Sequence, residues 1–225
     1  MGITVGVLAL QGDVEENVSA AKTALNNLGM QGNVIQVKYP EHLASIDGLI
    51  IPGGESTVIG TLAMLNGSLK VIRDRINAGM PVLGTCAGMI VLAKRAYDRV
   101  VGETRQQLLN LLDVTVERNA FGRQIDSFEA DLRIGVLGEK PFRGVFIRAP
   151  VVRSVGSGVD VLARLEGDGR DGSGDGGSAA SSSSSSSRIV AVQQGNMIGT
   201  SFHPELSDTR LHEYFLRLVR EYRQR

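Results

Sequence analysis

The clearest indication of the fold is the stretch Pro81-Val82-Leu83-Gly84-Thr85-Cys86-Ala87-Gly88-Met89-Ile90. A short apolar strand leads into it and an apolar helix leaves it, with a Gly-x-Cys-x-Gly turn between them. The two glycines permit the sharp bend of a nucleophile elbow, because larger side chains would clash with the neighbouring strand or helix. The stretch therefore predicts an α/β protein with a nucleophilic cysteine between strand and helix. The alternative is a structural cysteine buried in a glycine-rich turn.

Cys86 is the only cysteine among the 225 residues. A single cysteine excludes an intrachain disulfide and favours a reducing compartment, so we expect a cytoplasmic protein. At the start of the predicted helix, the helix dipole and the free N–H groups favour the thiolate over the thiol.

The first half of the chain alternates strands with helices. Strands are predicted at residues 3–10, 34–39, 48–51 and 81–84. Helices are predicted from Asp13 to Gly29, at 68–79 and at 87–97, with Asp13 as the N-cap and Glu16 as its capping-box partner. This rhythm predicts a mostly parallel central sheet with helices on both faces.

The second half of the chain is different, because short strands follow one another with few helices between them. They are predicted at residues 112–117, 128–134, 144–147, 159–165, 188–193 and 197–201. We expect them to form an antiparallel or mixed extension of the same sheet. A terminal helix capped by Ser207 follows, with its arginines on a solvated face and four apolar residues on its buried face: Leu211, Phe215, Leu218 and Tyr222.

One segment departs from this pattern in composition. Residues 168–187 contain nine serines and five glycines and cannot bury enough apolar area to offset the entropy of ordering. Strand patterns resume on both sides, so we interpret the segment as a disordered loop inserted in a single domain of residues 1–225.

Charge and hydropathy exclude two kinds of partner. The 24 Lys and Arg residues balance the 24 Asp and Glu residues, whereas a nucleic-acid groove needs a positive excess. No apolar run approaches the roughly 20 residues that span a bilayer. We therefore expect neither a nucleic acid nor a membrane as a partner.

A base for the cysteine is found in the motif His203-Pro204-Glu205, which follows the last predicted strand. The carboxyl ends of parallel strands meet where an elbow lies, so His203 is expected near Cys86. Glu205 is close enough to accept the second imidazole N–H and fix the tautomer. The other two histidines, His42 and His212, are interpreted as surface residues, and so few scattered ligands predict no metal site.

Residues 52–57, Pro-Gly-Gly-Glu-Ser-Thr, end another predicted strand. Backbone N–H groups of Gly53 and Gly54, with that of Ala87, form a candidate oxyanion hole. Neither a phosphate-binding P-loop nor a dinucleotide fingerprint is present. Together with such an oxyanion hole, Cys86, His203 and Glu205 predict an enzyme that transfers an acyl group from an amide or ester.

These residues resemble class I glutamine amidotransferases. Further stretches narrow the resemblance to the glutaminase subunits of pyridoxal 5′-phosphate synthases: residues 7–12, 52–57, 84–90, 117–124, 126–129, 145–150 and 201–206. The resemblance implies the three-layer fold of that class and hydrolysis of glutamine through a cysteine thioester. Cys86 would be the nucleophile, His203 the general base and then acid, and Glu205 its orienting partner. The implied glutamine site comprises Gly54, Glu55, Ser56, Arg118, Ile147 and Arg148.

The same resemblance implies a partner and no cofactor. Ammonia would pass to a (β/α)₈-barrel synthase subunit within a large hetero-oligomer, and the chain itself would not bind pyridoxal phosphate. Two alternatives stay open. One is a glutaminase for another synthase, such as imidazole glycerol phosphate synthase, and the other is a catalytically silent scaffold of the same fold.

Overall fold

The computed structural model describes residues 2–98, 101–118, 120, 127–166 and 187–225. The α-helices in this part are α1 (Val14–Asn27), α2 (Ser56–Leu65), α3 (Ser68–Asn77), α4 (Ala87–Leu92) and α5 (Arg210–Arg223). The strands are β1 (Ile3–Leu8), β2 (Gly32–Val37), β3 (Gly48–Ile51), β4 (Val82–Thr85), β5 (Ala93–Asp98), β6 (Gly102–Glu103), β7 (Leu112–Arg118), β8 (Ser127–Leu132), β9 (Phe142–Ile147), β10 (Val151–Val155), β11 (Asp160–Leu165), β12 (Arg188–Gln194) and β13 (Met197–Thr200). Three 3-10 turns lie at Pro40–Ser45, Gly135–Leu137 and Pro204–Leu206.

Within these described residues, eleven strands form one sheet in the order β2-β1-β3-β4-β13-β12-β10-β7-β5-β6, with β11 paired to β12. The strands from β2 to β13 are parallel. Antiparallel pairs join β13, β12, β10 and β7, and β7 pairs in parallel with β5. The prediction of a parallel sheet with a mixed extension is confirmed. It was wrong for β8 and β9, which pair only with each other in the described part of the chain.

Helices cover both faces of the sheet, as predicted. Strand β3 shows the division, because Leu49 and Ile51 pack into one apolar cluster and Ile50 packs into the other. The first cluster holds buried residues of α2, α3 and α4, whereas the second holds those of α1 and α5. Side chains that alternate along a strand point to opposite faces, so the two clusters are the interfaces of a three-layer structure.

The helix predicted at 87–97 is only half correct. Helix α4 ends at Leu92, and the chain continues as β5 with Ala93 in an extended conformation. The carbonyls of Val91 and Leu92 accept N–H groups from Leu109 and Leu111. Acceptors that would continue the helix are therefore bonded to another segment.

Two cap predictions were also wrong. Asp13 precedes α1, but its side chain makes no hydrogen bond to the helix. Helix α5 begins at Arg210 and not directly after Ser207. A 3-10 turn precedes it at Pro204–Leu206. The side chain of Asp208 accepts the N–H of Arg210 (3.0 Å) in place of the predicted serine cap.

The predicted insertion at 168–187 lies outside the described residues except for Ser187, and the single-domain interpretation stays a prediction. The residues that bracket it are described: β11 and β12 pair antiparallel up to Leu165 and Arg188. Across the described part of the chain, none of the helices combines the length and apolarity needed to cross a bilayer.

Candidate active site

Cys86 lies between β4 and α4 with φ 49° and ψ −104°, a strained backbone conformation for a residue with a side chain. Its N–H donates to the carbonyl of Thr200 in β13 (2.8 Å). Its thiol lies 3.9 Å from the carbonyl of Ile147, and the residue is only 7% exposed. The predicted elbow is present, and the neighbouring central strand helps to hold it.

Gly88 explains why the elbow needs small residues. A Cβ at this position would stand 2.0 Å from the carbonyl oxygen of Ile51 in β3. Backbone atoms cannot move aside as a flexible side chain can, so α4 can approach the sheet this closely only with glycine there.

His203 follows β13, whose residues Gly199 and Thr200 pair in parallel with Gly84 and Thr85 of β4. This register brings the histidine to the same edge of the sheet as Cys86. The N–H of His203 donates to the carbonyl of Val145 in β9 (2.8 Å). Chain segments 117 residues apart in sequence therefore meet because the last strand is inserted beside β4.

Glu205 lies in the 3-10 turn that follows His203. Its Oε1 is 2.7 Å from Nδ1 of the imidazole, and its side chain is fully buried. Its second oxygen, Oε2, has no hydrogen-bond partner among the described residues. The predicted contact between Glu205 and His203 is present in the structure.

A second carboxylate, which the sequence reasoning missed, reaches the same nitrogen. Oδ2 of Asp13 lies 3.2 Å from Nδ1 of His203. No local motif signals this contact, because an Asp followed three residues later by Glu16 has the pattern of a helix cap. Only the packing of α1 against the 3-10 turn Pro204–Leu206, directly after His203, reveals it.

The surroundings of His203 strongly favour its charged form. Burial opposes the charge, but hydrogen bonds with Asp13, Cys86 and Glu205 and attraction to Cys86 raise the pKa of His203 to about 12. The hydrogen bond with His203 lowers the pKa of Asp13 below its ordinary value, although partial burial opposes that effect. The site thus favours a charged imidazole with acidic partners.

Three ligand-type atoms, from Asp13, His203 and Glu205, lie within 4.8 Å of one another. Both carboxylates approach the same imidazole nitrogen at hydrogen-bond distances, an arrangement that holds a proton. The absence of a metal site stays a prediction from the sequence.

The candidate oxyanion hole lies in the turn between β3 and α2. A Cβ on Gly53 would stand 2.4 Å from Cε1 of His203, so the turn passes directly against the imidazole. Gly54 has φ 147°, a backbone conformation that favours glycine. Ala87 is the first residue of α4, directly after Cys86. Gly53 and Ala87 thus adjoin His203 and Cys86, and the role of these N–H groups in binding an oxyanion stays a prediction.

Three of the residues implied to bind glutamine are joined by one polar network. Nη2 of Arg118 forms an ion pair with Oε1 of Glu55 (2.7 Å). Nη1 of Arg118 and the hydroxyl of Ser56 both donate to Oε1 of Gln106, at 3.0 and 3.2 Å. Thr57 donates to the same oxygen (3.1 Å). The network joins Glu55, Ser56 and Arg118, and sequence reasoning missed Gln106 and Thr57.

Ile147 is the last residue of β9, and Arg148 follows it directly. The carbonyl of Ile147 faces the Cys86 thiol (3.9 Å), and Arg148 follows with φ 43°. A side-chain-bearing residue with positive φ is strained, which is common at ligand sites. The structure therefore brings Ile147 to the nucleophile and places Arg148 directly beyond it.

The other two histidines differ from each other. His42, in the 3-10 turn Pro40–Ser45, is partly exposed, as expected of a surface residue. His212 is completely buried in α5, so its assignment to the surface was wrong. The helix turns it toward α1, where its Nε2 lies 3.5 Å from Oδ1 of Asn17.

Comparison with known proteins identifies a matching family and relatives that share one name. Residues 7–221 match the model of the SNO glutamine amidotransferase family. The chain is 47% identical to the pyridoxal 5′-phosphate synthase subunit PdxT of Nitrosopumilus maritimus over 225 residues, which is all of both chains. It is 48% identical to the protein of the same name from Pyrococcus furiosus, covering 96% of this chain and 99% of that one.

Solved structures give the same result for the fold. A crystal structure described as a glutamine amidotransferase is 46% identical, has a TM-score of 0.75 and covers 96% of this chain and 98% of its own. A putative GMP synthase component from Thermoplasma acidophilum has a TM-score of 0.60 at 14% identity, over 100% of this chain and 97% of its own. The second likeness concerns the fold alone.

Proposed function

This chain belongs to the SNO glutamine amidotransferase family, and we propose from that premise that it hydrolyses the side-chain amide of L-glutamine. The products are glutamate and ammonia, and the ammonia is supplied to the synthase subunit of a pyridoxal 5′-phosphate synthase. The relatives named as subunits of that synthase support the substrate and the pathway. One observation supports the chemistry: a cysteine in a strained elbow lies at the same edge of the sheet as a histidine that a buried glutamate orients.

The reaction begins with attack of the Cys86 sulfur on the carboxamide carbon of glutamine. The carbonyl oxygen becomes an oxyanion, for which N–H groups of Gly53, Gly54 and Ala87 are the candidate donors. One such donor typically contributes about 10²–10³-fold to the rate. The imidazolium of His203 then protonates the departing nitrogen, the C–N bond breaks, and ammonia leaves a glutamyl thioester on the cysteine.

Water completes the cycle. Neutral His203 takes a proton from the water as the water attacks the thioester, and the Cys86 thiolate leaves as glutamate is released. General acid–base help of this kind is typically worth about 10²–10⁴-fold. Glu205 keeps Nδ1 of the ring bonded, so that Nε2 is the nitrogen available to the cysteine and the substrate.

Glutamine itself would bind between the turn that starts α2 and the end of β9. The guanidinium groups of Arg118 and Arg148 suit the α-carboxylate of the substrate, whereas Glu55 suits its α-amino group. Ser56 and the backbone of Ile147 complete this candidate site. The ion pair between Glu55 and Arg118 (2.7 Å) supports this proposal, because it brings together one charge of each sign, as a zwitterionic substrate would require.

The partner follows from the relatives' name as a subunit. We expect a (β/α)₈-barrel synthase subunit to receive the ammonia in a large hetero-oligomer in the cytoplasm, with no cofactor bound to this chain. Ammonia is lost to protonation and diffusion in water, so the synthase must lie against the site that releases it.

The test measures glutamate release from glutamine by the wild type, Cys86→Ala and Glu205→Gln, with and without the barrel subunit. Cys86→Ala should abolish release, and Glu205→Gln should reduce kcat by about 10²–10⁴-fold, because it removes the charge that stabilises the imidazolium. Glu139→Gln changes an exposed glutamate and is the matched control.

Three outcomes would contradict parts of the proposal. Equal, small losses from Cys86→Ala and Glu139→Gln would reject the cysteine mechanism. Activity stimulated by an imidazole glycerol phosphate synthase partner instead would keep the mechanism and reject the pathway. Failure of a glutamine-analogue diazo ketone to label Cys86 would favour the silent scaffold.

A further inference from the structure

Asp13 is a charged residue at the candidate active site. It has no role in the glutaminase reaction as proposed for Cys86, His203 and Glu205. Its side chain does not cap α1, although it occupies the cap position. The N–H of Asp13 donates to the carbonyl of Gly53 (3.1 Å), and its carbonyl accepts the side-chain amide of Asn17 (2.8 Å). The residue is therefore held between the glycine turn and α1, with its carboxylate turned toward His203.

The glycine turn leaves just enough room for this carboxylate. A Cβ on Gly53 would stand 2.7 Å from Oδ2 of Asp13 and 2.4 Å from the ring of His203. Any larger residue at position 53 would displace the carboxylate, the ring or the turn itself. The absence of a side chain at Gly53 thus permits Asp13 and His203 to meet.

Nδ1 of His203 then has two acidic neighbours, Glu205 at 2.7 Å and Asp13 at 3.2 Å. A neutral imidazole has one N–H, whereas an imidazolium has two and accepts no hydrogen bond. With Nδ1 directed at the carboxylates, Nε2 is left for Cys86, and the charged ring satisfies both sides. The two carboxylates differ in setting, because the side chain of Glu205 is fully buried and that of Asp13 is 39% exposed.

We propose that Asp13 is a positioning residue that acts with Glu205 to hold His203 as the imidazolium opposite Cys86. This inference rests on the proposed function, in which that imidazolium protonates the departing ammonia. Asp13 contacts Nδ1 of His203, whereas the proposed reaction uses Nε2 of that ring. It acts through the charge and orientation of the ring.

The direction of the pKa effects agrees with this role. Among the described residues, the groups that act on the charge of His203 are Asp13 at the start of α1, Glu205 in the 3-10 turn and Cys86 at the start of α4. Burial of the ring disfavours its charged form. All three groups favour that form and raise the pKa of His203.

The first test isolates the two carboxylates by removing the cysteine. His203 is titrated by NMR of its ring in Cys86→Ala protein with and without Asp13→Asn. The chain has only three histidines, so the loss of one ring signal in His203→Gln assigns the resonance. Because an ionised neighbour within 4–6 Å shifts a titration by about 1–3 units and Asp13 is partly exposed, Asp13→Asn should lower the midpoint by about one pH unit.

The matched control is Glu16→Gln in the same Cys86→Ala background. Glu16 is an exposed carboxylate in the first turn of α1, so its loss removes an equal charge from the same helix end. The control should leave the midpoint unchanged. Equal midpoints for Asp13→Asn and Glu16→Gln would overturn the proposal, since Asp13 would then act only as a distant charge.

A second variant guards against a folding defect. Asp13→Ser also removes the charge but retains an oxygen that can cap α1, and it should lower the midpoint as Asp13→Asn does. In the intact enzyme with its synthase partner, Asp13→Asn should move the alkaline limb of kcat to lower pH while KM changes less than twofold. The NMR titration needs no catalysis, so its failure is distinct from failure of the glutaminase assignment.

Discussion

The burial of one side chain, that of His212, can make the stability of the whole chain depend on pH. It is completely buried in α5, and burial lowers its pKa to about 4 from 6.5. Its Nε2 faces Asn17 of α1, while Nδ1 has no hydrogen-bond partner among the described residues. The folded protein therefore keeps this ring neutral at pH values where the unfolded chain binds a proton.

The pH dependence follows from that difference in proton binding. The stabilising effect is complete above about pH 6.5 and is lost as the pH falls toward 4, because only the unfolded state takes up the proton in that window. Between pH 7.5 and 5, the loss in the free energy of unfolding is about 2 kcal/mol from this residue.

His212→Gln tests this prediction, because glutamine retains an N–H for Asn17 but cannot be protonated. Urea unfolding at pH 7.5 and 5 should show a smaller loss of stability for His212→Gln than for the wild type, by about 2 kcal/mol. His42→Gln, a change in a partly exposed histidine, is the control and should behave like the wild type. An identical pH dependence in all three proteins would contradict the prediction.

The sequence correctly predicted the placement of residues that belong to a local motif. Cys86 is marked by its glycines, and Glu205 by its distance of two residues from His203. Prediction failed for Asp13 and His212, because each has a local pattern typical of something else: a helix cap and the polar side of a helix. Asp13 and His212 contact residues that are 190 and 195 positions away in the sequence. No local pattern contains information about contacts between such distant residues.

Among the helices, α4 was predicted only in part. Residues 87–97 are apolar enough for one helix, yet α4 ends at Leu92 and β5 begins at Ala93. The parallel pairing of β5 with β7, from Ala93 opposite Leu112, overrides the local preference. Helix α2 was missed as well, because its first residues were interpreted only as a glycine-rich turn. Its cap, Glu55, accepts the N–H of Val58 (2.8 Å).

The tight approach of α4 to the sheet gives a second prediction. Gly88→Ala would place a methyl group 2.0 Å from the carbonyl of Ile51, so α4 must move and carry the elbow with it. Overpacking of this kind costs about 1–3 kcal/mol. Gly135→Ala is the control, since a Cβ there meets nothing within 4 Å.

Thermal or urea unfolding measures the difference between the two alanine variants. Gly88→Ala should be less stable than Gly135→Ala by at least about 1 kcal/mol and should hydrolyse glutamine more slowly. Equal stability and activity of the two variants would mean that α4 does not depend on glycine at position 88.

For the whole molecule, the interpretation of residues 168–187 as an insertion can be tested by removing most of it. Leu165 of β11 and Arg188 of β12 are paired across the gap, so a hairpin loop of four residues can join them. Replacing residues 167–186 with Asn-Gly leaves Glu166 and Ser187 as the flanking loop positions, and Asn-Gly favours a tight turn.

The shortened chain should retain the melting temperature within a few degrees and the glutaminase activity within about twofold, because loop length changes closure entropy only slowly. Differential scanning calorimetry and glutamate release check both expectations. A large loss of stability would show that residues 167–186 contribute to the folded core, and a loss confined to partner-stimulated activity would place them at the partner interface.

The position of β13 in the sheet has a consequence for how the protein is made on the ribosome. Strand β4 is synthesised long before β13, its parallel neighbour, so the growing chain has an unpaired strand edge at its centre. Such edges invite aggregation, and pairing between distant segments is slow. His203 and Glu205 also emerge only after β13. A nascent polypeptide that has not yet reached His203 therefore carries the proposed nucleophile, Cys86, without its proposed base, and we expect such an unfinished chain not to cleave glutamine.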